Sequence, residues 1–506
     1  MSINYPKKIK QAPVYDVAKR TPLERAAKLS SALNNNVLLK REDLQPIFSF
    51  KLRGAYNKII HLSTDQQQCG VIAASAGNHA QGVALAAQRL NIPATIVMPR
   101  TTPAIKVDAV NQLGAKVILH GDMYDAAYQH AVLVSQEQQL TFIHPYDDPD
   151  VIAGQGTIGM EILEQHPENI DAIFVPVGGG GLIAGIAAYV KHVRPSIKII
   201  GVEPSDAACM QQALLNKKRI ILDEVGIFAD GVAVKQVGKE PFRIASEFVD
   251  GVITVSSDEI CAAIMDIFDD TRSINEPAGA LAVAGLKKYL ETENSHNQTL
   301  VAISSGANMN FDRLRYIAER AELGEQREAV FGVTIPEKPG SFHQFCHALG
   351  DRSITEFNYR FSDSSQAQVF VGVKLSKGKA EKQALFQQLQ NEGYEFTDMS
   401  DNEMAKLHIR YMIGGHTKSA NEHLYRFEFP ERPGALSQFL STIGNVWNIS
   451  LFHYRNHGAA YGRVLMGIQV EQNEQKTLHQ FLTKLNYPYK EETDNPAYRQ
   501  FLRETQ

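Results

Sequence analysis

The sequence predicts an α/β domain over its first two thirds, followed by a duplicated α+β domain. Three observations carry this. Between about residue 68 and residue 205, short apolar runs alternate with helical patterns. Those runs are continuously apolar, as in parallel strands covered on both faces. In the last third one segment recurs at a spacing of 94 residues, Pro336 being answered by Pro430. The 506 residues are also too many for one core, so two or three domains are expected.

The elements follow in order. Val71–Ala74 reads as a strand and Ser75–Asn78 as a loop, and a helix then runs through Ala80, Val83, Ala84, Ala87 and Leu90. Ala94–Met98 is a strand, Pro103–Leu113 a helix, Lys116–Leu119 a strand and Met123–Gln138 a helix. Ile170–Val177 is a strand, Leu182–Val193 a helix and Lys198–Val202 a strand, and Leu300–Ile303 is a later one. Strands alternating with helices argue for a buried parallel sheet, whose ligands lie outside the carboxyl ends of its strands.

In the repeat, Phe331–Phe345 matches Tyr425–Phe439, Ile354–Phe361 matches Ile449–Asn456, and Val369–Leu375 matches Val464–Val470. Each copy reads strand, Pro-Gly turn, helix, strand, strand, helix and a final strand. The charged stretch Arg313–Glu328 marks the boundary. The expected division is an α/β domain over 1–320, a linker over 321–328, one repeat over 329–400, a connector over 401–422, a second repeat over 423–494 and a tail over 495–506.

Composition excludes several classes of function. A net charge of −5 gives no support for a nucleic-acid or anionic-membrane surface. Cys69, Cys209, Cys261 and Cys346 are widely separated, with no CxxC pair for zinc or redox chemistry, and so few thiols fit a reducing cytosol. The N-terminus lacks the apolar region of a secretory signal, and no apolar stretch is long enough to span a bilayer. A cytoplasmic location is expected.

Four segments carry chemistry. Lys51 lies in Ser49-Phe50-Lys51-Leu52-Arg53-Gly54. Most lysines are solvated, but Phe48, Phe50 and Leu52 suggest partial burial here, and a desolvated lysine is the better nucleophile. Gly178, Gly179, Gly180 and Gly181 follow a strand and precede Leu182, so bare backbone N–H groups can wrap a phosphate. A lysine that binds an aldehyde and a loop that grips a phosphate point to one cofactor, pyridoxal 5'-phosphate.

The glycine run has a rival reading. Gly179-x-Gly181-x-x-Ala184, with Glu203 after the next strand, fits the looser dinucleotide fingerprint. That motif usually opens its domain, whereas several βα units come first here. It also leaves Lys51 unexplained.

The loop Ser75-Ala76-Gly77-Asn78-His79 precedes a helix. Its plain role is a helix cap, with Ser75 or Asn78 as N-cap. Its functional role adds a substrate carboxylate on the free N–H groups, with the Asn78 amide beside the cofactor ring. His79 alone reads as structural. Ser305, after the strand Leu300–Ile303, could meet the pyridine nitrogen. A hydroxyl cannot keep that nitrogen protonated as a carboxylate would, which weakens the carbanion sink and suits elimination of a β-leaving group.

Together SFKLRGAYNKI, SAGNHAQG, VPVGGGGL and SSGANMNF resemble, in order and spacing, the fold-type II pyridoxal-phosphate enzymes. The resemblance is closest to the biosynthetic threonine dehydratases, and the repeat resembles their paired ACT-like regulatory subdomains. The implied fold is two open parallel-sheet subdomains of the tryptophan synthase β type, plus two ACT-like ferredoxin-type repeats. The resemblance makes Lys51 the Schiff-base lysine and the base at Cα, and places Asn78 at the cofactor's 3-oxygen. It gives Gly178–Leu182 to the phosphate and Ser305 to the ring nitrogen, with Ser75, Gly77 and His79 at the substrate carboxylate. It implies deamination of L-threonine to 2-oxobutanoate, feedback inhibition by isoleucine opposed by valine, and a homotetramer. Tyr359 and Tyr454, at matching repeat positions, are the candidate effector contacts. L-Serine is the other candidate substrate, since one methyl is worth only about 1–3 kcal/mol.

Two departures refine this. Related racemases bind a divalent cation with Glu203's counterpart and a carboxylate six residues on, where this chain has Cys209. A hard cation prefers oxygen ligands, so no metal is expected. Ala76 stands where racemases carry a serine, so racemisation should be poor. The alternatives are a β-replacing synthase of the same fold and a non-catalytic amino-acid sensor. The regulatory repeat speaks against the first, and the intact Lys51, Asn78, glycine run and Ser305 against the second.

Overall fold

The computed structural model describes residues 3–324, 327–336, 345, 348–350, 352, 354–359, 366–375, 378–411, 421–430, 448–455, 461–485 and 487–502. The chain divides into two compact units, Met1–Ala321 and Glu322–Gln506, at a point inside the helix Arg313–Gly324. Among the described residues no helix is long and apolar enough to cross a membrane.

The first unit contains β1 (Leu23–Arg25), β2 (Asn36–Arg41), β3 (Val71–Ala74), β4 (Ala94–Met98), β5 (Lys116–Leu119), β6 (Thr141–Phe142), β7 (Ala172–Pro176), β8 (Lys198–Pro204), β9 (Gly251–Val255) and β10 (Thr299–Ser304). They form two sheets, as the resemblance implied and the strand-helix alternation by itself did not. The smaller, in the order β5-β4-β3-β6, is all parallel. The larger, in the order β1-β2-β10-β7-β8-β9, is parallel except for the antiparallel edge pair β1–β2. Nothing in the 68–205 pattern signals that β2, with β1 at its edge, pairs with the distant strand β10.

Helices cover both faces of the larger sheet. On one side Ile158, Ile162, Ile183, Ile186 and Val190 pack with Ile173, Val175 and Ile199. On the other, Ile260, Ile264, Leu281 and Leu286 pack with Phe174, Val202 and Ala302. The central strands β7 and β10 are thus apolar along nearly all their length because neither face meets water. The helix Lys51–Ile60 is anchored by Arg53, which is fully buried and donates to Glu42 at 2.8 Å and to Glu161 at 2.6 Å. Lys40 also reaches Glu161, at 2.5 Å, so two cations and two carboxylates balance inside the core. A buried charge needs such pairing to be tolerated.

The second unit holds two four-stranded antiparallel sheets. One comprises β11 (Glu328–Pro336), β12 (Ile354–Tyr359), β13 (Gln366–Lys374) and β14 (Glu395–Asp398), in the order β12-β13-β11-β14. The other repeats it with β15 (Glu422–Pro430), β16 (Asn448–Arg455), β17 (Tyr461–Gln469) and β18 (Tyr489–Glu491), in the order β16-β17-β15-β18. The copies agree even in their irregularities: the register shifts between Ile354 and Glu356 in one and between Ile449 and Leu451 in the other. Tyr359 faces Val369 across its strand pair, as Tyr454 faces Val464. Beyond that backbone register, the side chains of both tyrosines lie outside the described residues. So does most of the segment expected to form the first helix of each copy.

Candidate active site

Three loops leave the carboxyl ends of parallel strands: Ser75–Gly77 after β3, Val177–Gly180 after β7, and Ser305 with Gly306 after β10. Backbone pairing brings Lys51 to the last of them. Ser49 bridges Gly306, and the Phe50 N–H donates to the Ser305 carbonyl at 3.4 Å. On its other side the helix Asn78–Leu90 approaches closely: a Cβ at Gly82 would sit 3.1 Å from the Lys51 carbonyl carbon. Lys51 therefore lies between a loop of the larger sheet and the helix that follows β3 of the smaller one.

The helices that follow the first two loops begin without side-chain caps. Gly77 precedes Asn78–Leu90 and Gly180 precedes Gly181–Val193, and neither supplies a capping group. This corrects the expectation that Ser75 or Asn78 caps the first of them. The Ser75 hydroxyl accepts the Gly77 N–H at 3.2 Å before the helix starts, and Asn78 is already helical. The orphan N–H groups of both first turns, with the positive end of each helix dipole, are disposed toward an anion. Gly180 has φ of 92°, in the left-handed region that glycine adopts without cost. Tyr146 lies across the glycine run, where a Cβ at Gly179 would meet its ring at 2.2 Å and one at Gly181 would meet its backbone at 3.0 Å. Only bare backbone fits that turn.

Lys51 is half-buried, and burial of its amine pushes the pKa down to about 8 against the pull of Glu276. Phe50 and Leu52 are buried as expected, but Phe48 is 56% exposed. His79 is buried, and burial together with the charge of Lys51 pushes it down to about 3. It stays neutral, and its Nε2 lies 2.8 Å from the Ile143 carbonyl, so Nε2 carries the proton and donates it there. Ser305 is buried, with its hydroxyl donating to the Ala278 carbonyl at 3.3 Å.

Sequence reasoning missed the residues that join these parts. Burial, followed by the nearby charge of Asp230, pushes Glu276 up to about 7. Asn78 donates to it at 2.5 Å. Burial opposes the ionisation of Asp230 itself, but Lys106 at 2.8 Å and Arg313 at 3.6 Å hold it at about 2. His144 meets Tyr146 edge-on at 4.7 Å, and its pKa is lowered chiefly by burial and in small part by Lys51. His144 thus packs against the tyrosine that covers the glycine loop. The one signal available for Glu276 is the proline after it, which marks a helix start but no chemistry.

Glu203 is fully buried and accepts the N–H groups of Met210 and Gln211, each at 2.8 Å. It has no free oxygen to meet a ribose, which removes the dinucleotide reading. Among the described residues, no group of three or more His, Cys, Asp and Glu side chains is arranged to hold a metal.

Residues 14–306 match the family described as pyridoxal-phosphate dependent enzyme. Residues 319–409 and 413–502 each match the C-terminal regulatory domain of threonine dehydratase. The chain is 58% identical to L-threonine dehydratase biosynthetic IlvA of Burkholderia multivorans over 505 residues, covering 99% of each chain. It is 53% identical to the Escherichia coli protein of that name, covering 98% of this chain and 97% of that one. The chain belongs to the biosynthetic threonine dehydratases. Among solved structures it is similar to the processed form of threonine deaminase isoform 2 from Solanum lycopersicum. That chain shares 53% identity at a TM-score of 0.62, over 63% of this chain and 92% of its own. Maize serine racemase follows at 34% identity and a TM-score of 0.59, over 62% of this chain and 95% of its own. Threonine dehydratases of this family use pyridoxal phosphate, and the residues present fit it: a desolvated amine, two uncapped helix starts and a turn that only glycine fills.

Proposed function

We propose that the chain deaminates L-threonine to 2-oxobutanoate and ammonia by removing its β-hydroxyl as water, the first committed step toward isoleucine. The observation that carries this is Lys51: a desolvated amine whose own segment is paired to the Ser305 loop. Lys51 would hold the cofactor's aldehyde carbon, the N–H groups of Gly178–Leu182 its phosphate, Asn78 its 3-oxygen and Ser305 its ring nitrogen. When bound, pyridoxal phosphate supplies a conjugated ring that accepts negative charge from Cα.

The chain's residues do the rest. The amine of Lys51 takes the Cα proton, which a lysine of ordinary pKa could seldom do near neutral pH. The uncapped start of Asn78–Leu90 holds the substrate carboxylate, bordered by Ser75, Gly77 and His79. His79, neutral and with its Nε2 proton committed to Ile143, is a wall of the site rather than an acid. Ala76 offers no group to protonate the opposite face of Cα, so elimination outruns racemisation.

The regulatory part of the proposal is that isoleucine inhibits, and valine opposes it, at the duplicated unit. The preserved register of Tyr359 and Tyr454 supports a pair of equivalent positions there. The family further implies a cytoplasmic homotetramer, with the division into repeats and connector as expected from the sequence. L-Serine, one methyl smaller, is the competing substrate.

Lys51→Ala should abolish turnover and also the visible absorption band that pyridoxal phosphate gives when bound covalently. Steady-state assays on threonine with the spectrum of the same sample check this. A variant that keeps a substantial rate sinks the assignment.

A further inference from the structure

A chain of directional hydrogen bonds passes through Asn78. The Ile47 carbonyl accepts the side-chain amide of Asn308 at 2.7 Å. A carbonyl cannot donate, so the NH₂ end of Asn308 is fixed toward it. The second N–H of that group donates to Asn78 Oδ1, also at 2.7 Å. With Oδ1 committed, Asn78 turns its NH₂ the other way, where one N–H donates to Glu276 Oε1 at 2.5 Å. The other N–H of Asn78 has no acceptor among the described residues.

The anchors are themselves fixed. Glu276 is 4% exposed, and its backbone N–H donates to the Gly306 carbonyl at 3.1 Å. The Ala307 N–H donates to the Phe48 carbonyl at 2.9 Å, which ties the Asn308 loop to the segment leading to Lys51. A Cβ at Gly306 would stand 2.4 Å from Glu276 Oε1, so the carboxyl packs against this loop at a place where only glycine leaves it space.

We propose that Asn308 and Glu276 are positioning residues that set the Asn78 amide so that it presents N–H, not C=O, to the cofactor's 3-oxygen. This rests on the pyridoxal-phosphate reading of Asn78. The physical stake is sign. An N–H lowers the energy of a negatively charged 3-oxygen, whereas a reversed amide sets one acceptor against another.

The test uses the holoenzyme. Asn308→Asp replaces a donor with acceptors, so the Asn78 amide is driven to reverse. The expected result is a shifted visible cofactor band and a kcat lower by about tenfold, the worth of one hydrogen bond, with KM for threonine little changed. Asn308→Ala, which removes the donor without adding charge, should shift the band in the same direction. Glu276→Leu should shift it too, and Glu276→Gln, which keeps an acceptor, should restore it. Thermal melting shows which variants are folded, and a purely structural role would move melting without moving the band. Asn78→Ala separates the two levels of the argument. A band that moves in Asn78→Ala but in neither folded Asn308 variant overturns the network alone. A band unmoved by Asn78→Ala overturns the Asn78 reading, and this inference with it.

Discussion

The carboxyl group of Glu203 takes two backbone N–H groups at 2.8 Å each, with no solvent contact. Burial raises its pKa and the amides lower it, and burial wins, leaving it at about 7. The ordinary value of 4.5 applies to the unfolded chain. The stability this proton lends is therefore full below pH 4.5 and is lost as pH rises through 7. Glu203→Gln cannot ionise, so it lacks that loss. From pH 5 to pH 8 the stability of the parent should fall relative to Glu203→Gln, by up to about 3 kcal/mol. Denaturant titrations at the two pH values measure it, and a difference that does not change with pH would contradict the assignment. The same residue type at Glu276, also buried and held at about 7, lies beside Asn78 and so joins the active site. Sequence reasoning singled out Glu203 and missed Glu276, because nothing local says which glutamate packs near the lysine.

At the level of elements, the turn between β7 and the helix Gly181–Val193 combines a left-handed glycine with a covering ring. Gly180 supplies the positive φ, and Tyr146 closes over Gly179 and Gly181. Gly179→Ala would drive a methyl into that ring, and overpacking of this kind costs about 1–3 kcal/mol. The turn must then shift from the geometry that grips a phosphate. The affinity for pyridoxal phosphate should fall by about tenfold to a hundredfold, with the band recovered at high cofactor concentration. Equilibrium titration of the apoenzyme decides it, and an unchanged affinity would detach this turn from the phosphate. The strand-loop-helix order around the turn was legible because apolar runs and glycines are local signals. The covering tyrosine was not, since Tyr146 reaches the turn through folding rather than through sequence proximity.

At the scale of the whole chain, the two units have separate hydrophobic cores. The first is built around β7, β8 and β10. In the second, Phe331, Val333, Val371 and Leu385 form one cluster, and Tyr425, Phe427, Met466 and Leu482 form another. Every proposed catalytic residue lies in the first unit. A chain ending near residue 325 should therefore turn over threonine while losing its response to isoleucine. Inhibition assays on the fragment test this, and isoleucine that still inhibits would move the effector site into the catalytic unit. Effector control requires that isoleucine bind two states of the enzyme with different affinity.

The sequence by itself determined which chemistry is available: a lysine set among apolar residues, a glycine run after a strand, a serine after another, and a duplicated domain. Each of these is written in contiguous residues, so periodicity and spacing reveal it. Only the tertiary structure decided how the groups act. The joining of β2 to β10 in the larger sheet, the uncapped helix starts and the neutrality of His79 depend on distant packing. The direction of the Asn78 amide depends on Glu276, 198 residues away, and on Asn308, 230 away. Desolvation and hydrogen-bond polarity are properties of a three-dimensional neighbourhood, and no local stretch of chain contains it.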